Sequence, residues 1–389
     1  MHWALLLCLG LQIPVLACSV PVFRYALERW PPDTYRYVVF HKGPLTAEQQ
    51  TWVDQLEQIK MMGYGRPSLL GYTVDVSQEI EESFAPLWEE HKAESLPLLV
   101  LLPPVPVAGS QALWKAPFTE ASVKTLIESP VRTELVKRLT DGQTAVWLLL
   151  PSSDAEADNK AKADLQRMLN ELHEVLKLPH EMDPTDTTYD MSMSDVELRV
   201  EFTILELDLK DPKEAILASI IRAALLDELD ESLPGVIPVF GRGRALVALD
   251  KESIVEDVIA EIGYFLVGPC SCQVKQLNPG VDFLIPVDWD GLITGMMGAE
   301  DILPALIVPV AVAAQDPNER TEPNDPNVPA DPNQVLDANE PNELMPAAGE
   351  TPAEPGQAGG LKRNLIILAI VGLVGLVLAT VSMTKKSKR

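Results

Sequence analysis

Residues Asn364 to Met383, "NLIILAIVGLVGLVLATVSM", form an unbroken apolar run. Its length, about 20 residues, is what an α-helix needs to cross roughly 30 Å of hydrocarbon. Lys362 and Arg363 precede it, and Lys385, Lys386, Lys388 and Arg389 follow it. This charge bias places the short tail in the cytoplasm. At the other end, "MHWALLLCLGLQIPVLAC" is apolar but too short to span, and it reaches Val15-Leu16-Ala17 with a small residue last. It reads as an export signal. The expected layout is a signal peptide over 1–17, a transmembrane helix over 361–384 and a basic tail over 385–389. The chain is then a single-pass protein of the cytoplasmic membrane, with N-terminal domains outside it (periplasmic) and the C-terminus in the cytoplasm.

Ahead of the span, residues 315–360 repeat an acidic residue followed by Pro-Asn, at Asp316, Glu322, Asp325, Asp331 and Glu340. A segment with so little to bury and so much like charge is expected to be a disordered, extended stalk. The full chain carries 57 acidic residues against 31 Lys and Arg, a formal charge of -26. No basic patch stands out. A nucleic-acid partner is excluded on that ground, because phosphate neutralisation dominates such binding. The stretch "LPALIVPVAVAA" (Leu303 to Ala314) is too short and too interrupted by proline to span; residues 291–314 read as an apolar packing segment.

About 300 residues remain for folding, enough for two ordinary domains. "YRYVVFH" (Tyr35 to His41) reads as a strand, and Thr46 with Gln49 as a capping box for a helix that turns Trp52, Leu56 and Ile59 inward. "LLGYTVDV" is a second strand, Glu79 to His91 a second helix and "LPLLVLL" a buried third strand. "ALWKAP" supplies a fourth strand, and Thr119 opens a helix with Val123, Leu126 and Ile127 inward. The order then repeats. "TAVWLLL" is a strand, and Asp158 to Leu176 a helix with Leu165, Leu169, Leu172 and Leu176 on one stripe. "VELRVEFTILELD" alternates as a half-buried strand through Val196, Leu198, Val200, Phe202 and Ile204. Asp211-Pro212 starts a helix, with Glu214 behind the cap. "GVIPVFGRGRALVAL" is a hairpin turning on Gly241 and Gly243, and Ile254, Val258, Ile262 and Phe265 line a last helix. The chain is thus α/β, with similar halves over 18–143 and 144–290.

This order, with Pro97 ("SLPLLVLL") and Pro238 ("VIPVF") entering the third strand of each half, resembles the thioredoxin-like superfamily. The resemblance covers Tyr35 to about Pro130 and Thr144 to Leu266. It implies two tandem thioredoxin-like βαβαββα domains and a cis-proline at Pro97 and Pro238. The superfamily's dithiol, a Cys-x-x-Cys between first strand and first helix, is missing: "HKGP" (His41 to Pro44) and "PSSD" (Pro151 to Asp154) stand in its place. Members without the dithiol hold extended peptide beside the cis-proline, so the resemblance places a binding groove at Pro97, Pro238 and His41. The chain as a whole also looks like exported, membrane-anchored proteins of planctomycete-type bacteria, whose acidic Asn-Pro spacers are similar; that likeness implies no activity.

Cysteine use leaves several alternatives open. Cys8 departs with the signal, leaving Cys18, Cys270 and Cys272, an odd number for an oxidising compartment. Cys18 follows Val-Leu-Ala, which resembles a lipobox, so it is open to lipidation; as a thiol it stands near a helix start. Either Cys270 or Cys272 pairs with Cys18 as a structural staple, or the two close a small strained ring capable of thiol exchange. A third option is a soft-metal site for copper or zinc on Cys270 and Cys272, although no histidine stands near to complete a shell. Arg242 and Arg244 in "GRGR" form either part of a tight hairpin turn or an anion grip. Asp282, Asp288 and Asp290 are a weak cation set. His41 is a candidate base with no nucleophile beside it. No cofactor is expected. The expected function is a membrane-tethered extracytoplasmic binding or assembly module with a protein or peptide partner. The alternatives are a thiol-disulfide oxidoreductase on Cys270 and Cys272, perhaps with Cys18, and a soft-metal carrier.

Overall fold

The structure, a computed structural model, describes residues 20–60, 67–104, 111–178, 181, 194–225, 230–270 and 275–295. In the first half, β1 (Tyr35–His41) runs parallel to β2 (Leu69–Asp75) and antiparallel to β3 (Leu98–Leu102), and β3 pairs antiparallel with β4 (Trp114–Pro117). The sheet order is β2-β1-β3-β4. In the second half β5 (Ala145–Leu150) runs parallel to β6 (Phe202–Glu206) and antiparallel to β7 (Gly235–Phe240). Two short strands, β8 (Arg244–Ala245) and β9 (Val281–Asp282), extend this sheet to the order β6-β5-β7-β8-β9. Strands β6-β5-β7-β8 of the second sheet therefore repeat the arrangement of the first.

Local chemistry places the helices. Thr46 Oγ1 accepts from the Gln49 N–H while Gln49 Oε1 accepts from the Thr46 N–H, which satisfies the first donors of α2 (Ala47–Lys60). A second reciprocal box, Thr119 with Ser122, opens α4 (Glu120–Ile127). The helix expected from Glu79 is shorter: α3 covers Ala85–His91, with turns before it. The sequence reading did not separate α5 (Pro130–Thr140), which starts on a Ser129 cap with Pro130 in its first turn. Asp154 caps α6 (Ala155–Val175) by accepting from the N–H groups of Glu156 and Ala157. Asp211 caps a single 3-10 turn (Pro212–Glu214) that leads into α7 (Ala215–Ala224). The last long helix is α8 (Glu256–Val267), and α9 (Trp289–Ile293) follows β9.

Each sheet is covered on both faces. Val38, Phe40, Leu98 and Val100 pack on Phe84, Leu87 and Trp88 around α3. The other face, with Tyr37, Val39, Leu99 and Leu101, meets Leu56 of α2 and Leu126 of α4, and this core continues through Leu135 of α5 to Leu148 of β5 and Ile220 of α7. One hydrophobic core therefore joins the halves. The far face of the second sheet, with Trp147 and Phe240, packs on Leu165 and Leu169 of α6 and Leu266 of α8. The N-terminal helix α1 (Val22–Arg29) joins this last cluster through Val22, Phe23 and Ala26. Residues 20–30, read from sequence as the start of the first half, thus pack on the second.

Two expectations are corrected. The alternating strand from Val196 is regular only from Phe202, because β5 begins at Ala145 and offers no ladder partner earlier. Residues before it bond instead to the preceding turn, with Arg199 N–H to Gly142 O at 2.9 Å and Thr144 N–H to Glu201 O at 2.9 Å. The second correction concerns proline. The one cis peptide bond among the described residues is Leu96–Pro97. Pro238 is trans and lies inside β7, opposite Trp147. Its carbonyl accepts from Leu246 N–H at 3.0 Å, but it has no N–H to return. The β7–β8 ladder accordingly stops at Ala245 and resumes only at the Val236–Leu249 bridge. Register shows the counterpart of Pro97: Phe40 pairs Leu98 as Leu150 pairs Gly235, so Pro97 corresponds to Pro234, also trans. The likeness of the halves rests on strand order without the proline.

The expected transmembrane helix, stalk, apolar segment beyond residue 295 and signal peptide lie outside the described residues. Among the described residues no helix is long and apolar enough to cross a membrane.

Candidate functional site

Because β1 and β3 are antiparallel, the end of β1 and the start of β3 lie side by side. A groove of about 270 Å³ opens there, lined by His41, Lys42, Pro44, Leu45, Gln49, Leu96 and Pro97. The loop from His41 to Thr46 is held from below. Gly43 N–H donates to Asp75 Oδ1 at 2.9 Å, and Asp75 also accepts from the N–H and hydroxyl of Ser77. These hydrogen bonds, with the nearby His41, lower the Asp75 carboxyl to about 2. His41 Nδ1 lies 2.7 Å from Gly43 O. A carbonyl only accepts, so Nδ1 donates this hydrogen bond. The groove thus combines a hydrophobic wall, Leu45 with Leu96 and Pro97, and a basic lip, His41 with Lys42. Lys42 enters no ion pair among the described residues.

At the end of β5 and the start of β7, on the side of the loop after β6, the second half holds a small cavity of about 20 Å³ lined by Leu150, Pro151, Asp208, Leu209, Lys210, Asp230, Glu231, Leu233 and Gly235. Its rim is acidic. Several of its polar groups are committed internally: Asp208 accepts from Lys210 N–H, Asp230 from Ser232 N–H, and Glu231 pairs with Arg222. Ser152, in the loop between β5 and α6, donates to Asp158, and Asp154 caps α6. No cysteine lines either cavity.

The structure brings His41 and Pro97 together and leaves Pro238 away from both cavities. Lys42, Leu45, Gln49 and Leu96 were not named as groove residues from sequence, although Lys42 and Leu96 adjoin His41 and Pro97 and Gln49 was read as a helix cap. The second cavity was missed although its signal is visible: "SLP" at Ser95–Pro97 recurs at Ser232–Pro234. Arg242 and Arg244 do not form an outward anion grip. Arg242 is buried, donating to Leu27 O at 2.7 Å, Glu28 O at 3.2 Å and Asp290 Oδ1 at 2.7 Å. Arg244 is buried against Asp282 Oδ1 at 2.7 Å and the carbonyls of Asn278 and Pro279. The acidic residues considered for a cation are spent likewise: Asp282 pairs with Arg244 and Lys275, Asp290 with Arg242, and Asp288 caps α9. Among the described residues no group of three His, Cys, Asp or Glu side chains is arranged to hold a metal.

Cys270 is 3% exposed, in the core of the second half, and its N–H donates to Val20 O at 2.9 Å. Cys18 and Cys272 lie outside the described residues.

Fold and groove define a mixed α/β protein of two covered sheets, consistent with tandem thioredoxin-like domains. Among solved structures the chain is similar to full-length ERdj5, at 11% identity and TM-score 0.19, covering 63% of this chain and 32% of that one. It is similar also to the first two thioredoxin domains of Saccharomyces cerevisiae Eps1p, at 11% identity and TM-score 0.19, covering 59% and 91%. The chain thus spans about a third of the length of ERdj5. The class rests on strand order; these neighbours supply no residue-by-residue correspondence. No protein-family model and none of the curated proteins matches the chain.

Proposed function

We propose that the chain is a tandem thioredoxin-like binding module that holds an extended peptide in the groove between His41 and Pro97 and carries out no dithiol chemistry there. The observation behind this reading is the groove itself. It lies where β1 and β3 end together, it has an apolar wall and a polar lip, and the residues lining it include no thiol. Its volume, about 270 Å³, falls just under the roughly 300–1,000 Å³ of sites that enclose a drug-sized ligand. An open groove of that size suits one or two peptide side chains. The signal peptide, stalk and membrane helix read from sequence would hold this module outside the cytoplasmic membrane, which protease protection in sealed vesicles tests.

Selection of a random displayed heptapeptide library on the full-length chain tests the groove. Enriched peptides should lose binding to a Leu45→Arg variant that keeps the wild-type melting temperature. The competing oxidoreductase reading predicts insulin reduction that disappears in Cys272→Ser. Turnover by the wild-type protein that survives blocking of the groove would sink the non-catalytic reading.

A further inference from the structure

The two cavities both lie at the strand ends of their halves but open on different sides, the first toward α2 and the second toward the loop after β6, and their charges are opposite. The first presents His41 and Lys42, with no acidic side chain in its lining. Asp75, the carboxylate nearest this loop, is turned to its support: it already accepts from Gly43 N–H, Ser77 N–H and the Ser77 hydroxyl. The second presents Asp208, Asp230 and Glu231 against the single Lys210. In a chain of net charge -26, an acidic segment is repelled by most of the surface. A basic lip over an apolar wall is therefore a local exception that discriminates by charge.

We propose, resting on the peptide-groove reading, that the ligand class of the first groove is an extended peptide with an acidic residue next to an apolar one. The apolar side chain lies against Leu45, Leu96 and Pro97. The carboxylate meets the Lys42 ammonium, beside the imidazole of His41, whose Nδ1–H is donated to Gly43 O and whose ring is thereby oriented. The acidic rim of the second cavity turns the same peptide away, which keeps the two cavities from competing for it.

The test uses the displayed heptapeptide library on the full-length protein, with the leading peptide then made synthetically and measured by fluorescence anisotropy. Enriched sequences should carry Asp or Glu beside a Leu, Ile, Val or Phe. Lys42→Glu should weaken binding of the leading peptide about fivefold or more, the scale of one or two exposed ion pairs. Raising salt should weaken the wild-type complex and strengthen the Lys42→Glu complex, because it screens an attraction in the first and a repulsion in the second. Lys210→Glu, in the second cavity, should have no effect. If enriched peptides are neutral or basic but still depend on Leu45, the acidic preference is overturned and the groove reading stands. If no peptide is enriched over a blank surface, both are overturned.

Discussion

The Ser129 hydroxyl donates to the carboxylate of Glu214, and the same carboxylate accepts from Val131 N–H at 2.9 Å. Both residues are buried, and they come from different halves. Beside them the Arg132 guanidinium, 1% exposed, bonds to the carbonyls of Leu126, Leu284, Thr125 and Glu128. Burial pulls that guanidinium down to about 10, and Glu214 opposes the fall. This junction ties the end of the first half, the start of α7 and the segment after β9 into one body. Glu214→Ala would leave two buried donors without an acceptor, at about 1–3 kcal/mol each. Glu214→Gln keeps an acceptor and should cost less. Urea denaturation should show a lower midpoint at unchanged slope for Glu214→Ala; a midpoint equal to wild type would refute the junction's role.

Two left-handed glycines predict opposite tolerance to alanine. Gly142 joins α5 to β5 with φ +92°, and a Cβ there would meet Glu197 O at 1.9 Å. Neither backbone can yield without breaking the Arg199–Gly142 hydrogen bond. Gly43, under the groove, has φ +71° and nothing within 4 Å of a Cβ. Gly43→Ala should cost only the left-handed conformation, about 1–2 kcal/mol, whereas Gly142→Ala should exceed about 3 kcal/mol. Similar melting temperatures for the two variants would contradict this.

What the sequence disclosed depended on how local each signal was. The capping pairs Thr46–Gln49 and Thr119 with its helix were legible, because their partners lie within one turn. The strand order was legible too, since period-2 and period-3.6 patterns survive without knowledge of neighbours. Pro238 misled because two prolines stand four residues apart, and only the pairing of Leu150 with Gly235 shows which one corresponds to Pro97. Arg242 and Arg244 looked like free cations because their partners are far off in sequence: Leu27 and Glu28 for one, Asn278 to Asp282 for the other. The placement of α1 on the second sheet was hidden for the same reason. Lys42 and Leu96 became groove residues only once β1 and β3 were seen to end together.

The carboxylate of Asp75 predicts a pH dependence for the loop that supports the groove. Its folded-state value, about 2, lies below the ordinary aspartate value of about 3.9. A depressed carboxyl stabilises the native state in full above its unfolded value, and that contribution is lost as pH falls through the folded one. The order of Gly43 and Ser77 should therefore persist at pH 4 and weaken toward pH 2. Carbon-detected NMR titration of the Asp75 carboxyl should give a midpoint near 2, moving upward in Ser77→Ala, which removes its hydroxyl donor. A midpoint near 4 in the wild type would show that the hydrogen bonds to Gly43 and Ser77 do not form in solution.

The Cys270 backbone sets the last prediction. Val22 N–H donates to Gly268 O at 3.0 Å and Cys270 N–H to Val20 O at 2.9 Å, a short antiparallel bridge centred on Pro21 and Pro269. Val20 and Cys270 are thereby held beside each other, at the start of α1 and the end of α8. Cys18 lies two residues before Val20, and Cys272 two residues after Cys270. A disulfide between Cys18 and one of these two would fasten the N-terminal helix to the second half, where its Val22, Phe23 and Ala26 already pack. It would close a loop of about 250 residues, for which the chain-entropy relation gives a stabilisation above about 4 kcal/mol. Intact mass of the chain lacking residues 1–17 after alkylation, with and without prior reduction, should show one alkylated thiol before reduction and three after. Three before reduction would dismiss the staple, and an added acyl mass at Cys18 would assign that residue to lipid anchorage instead.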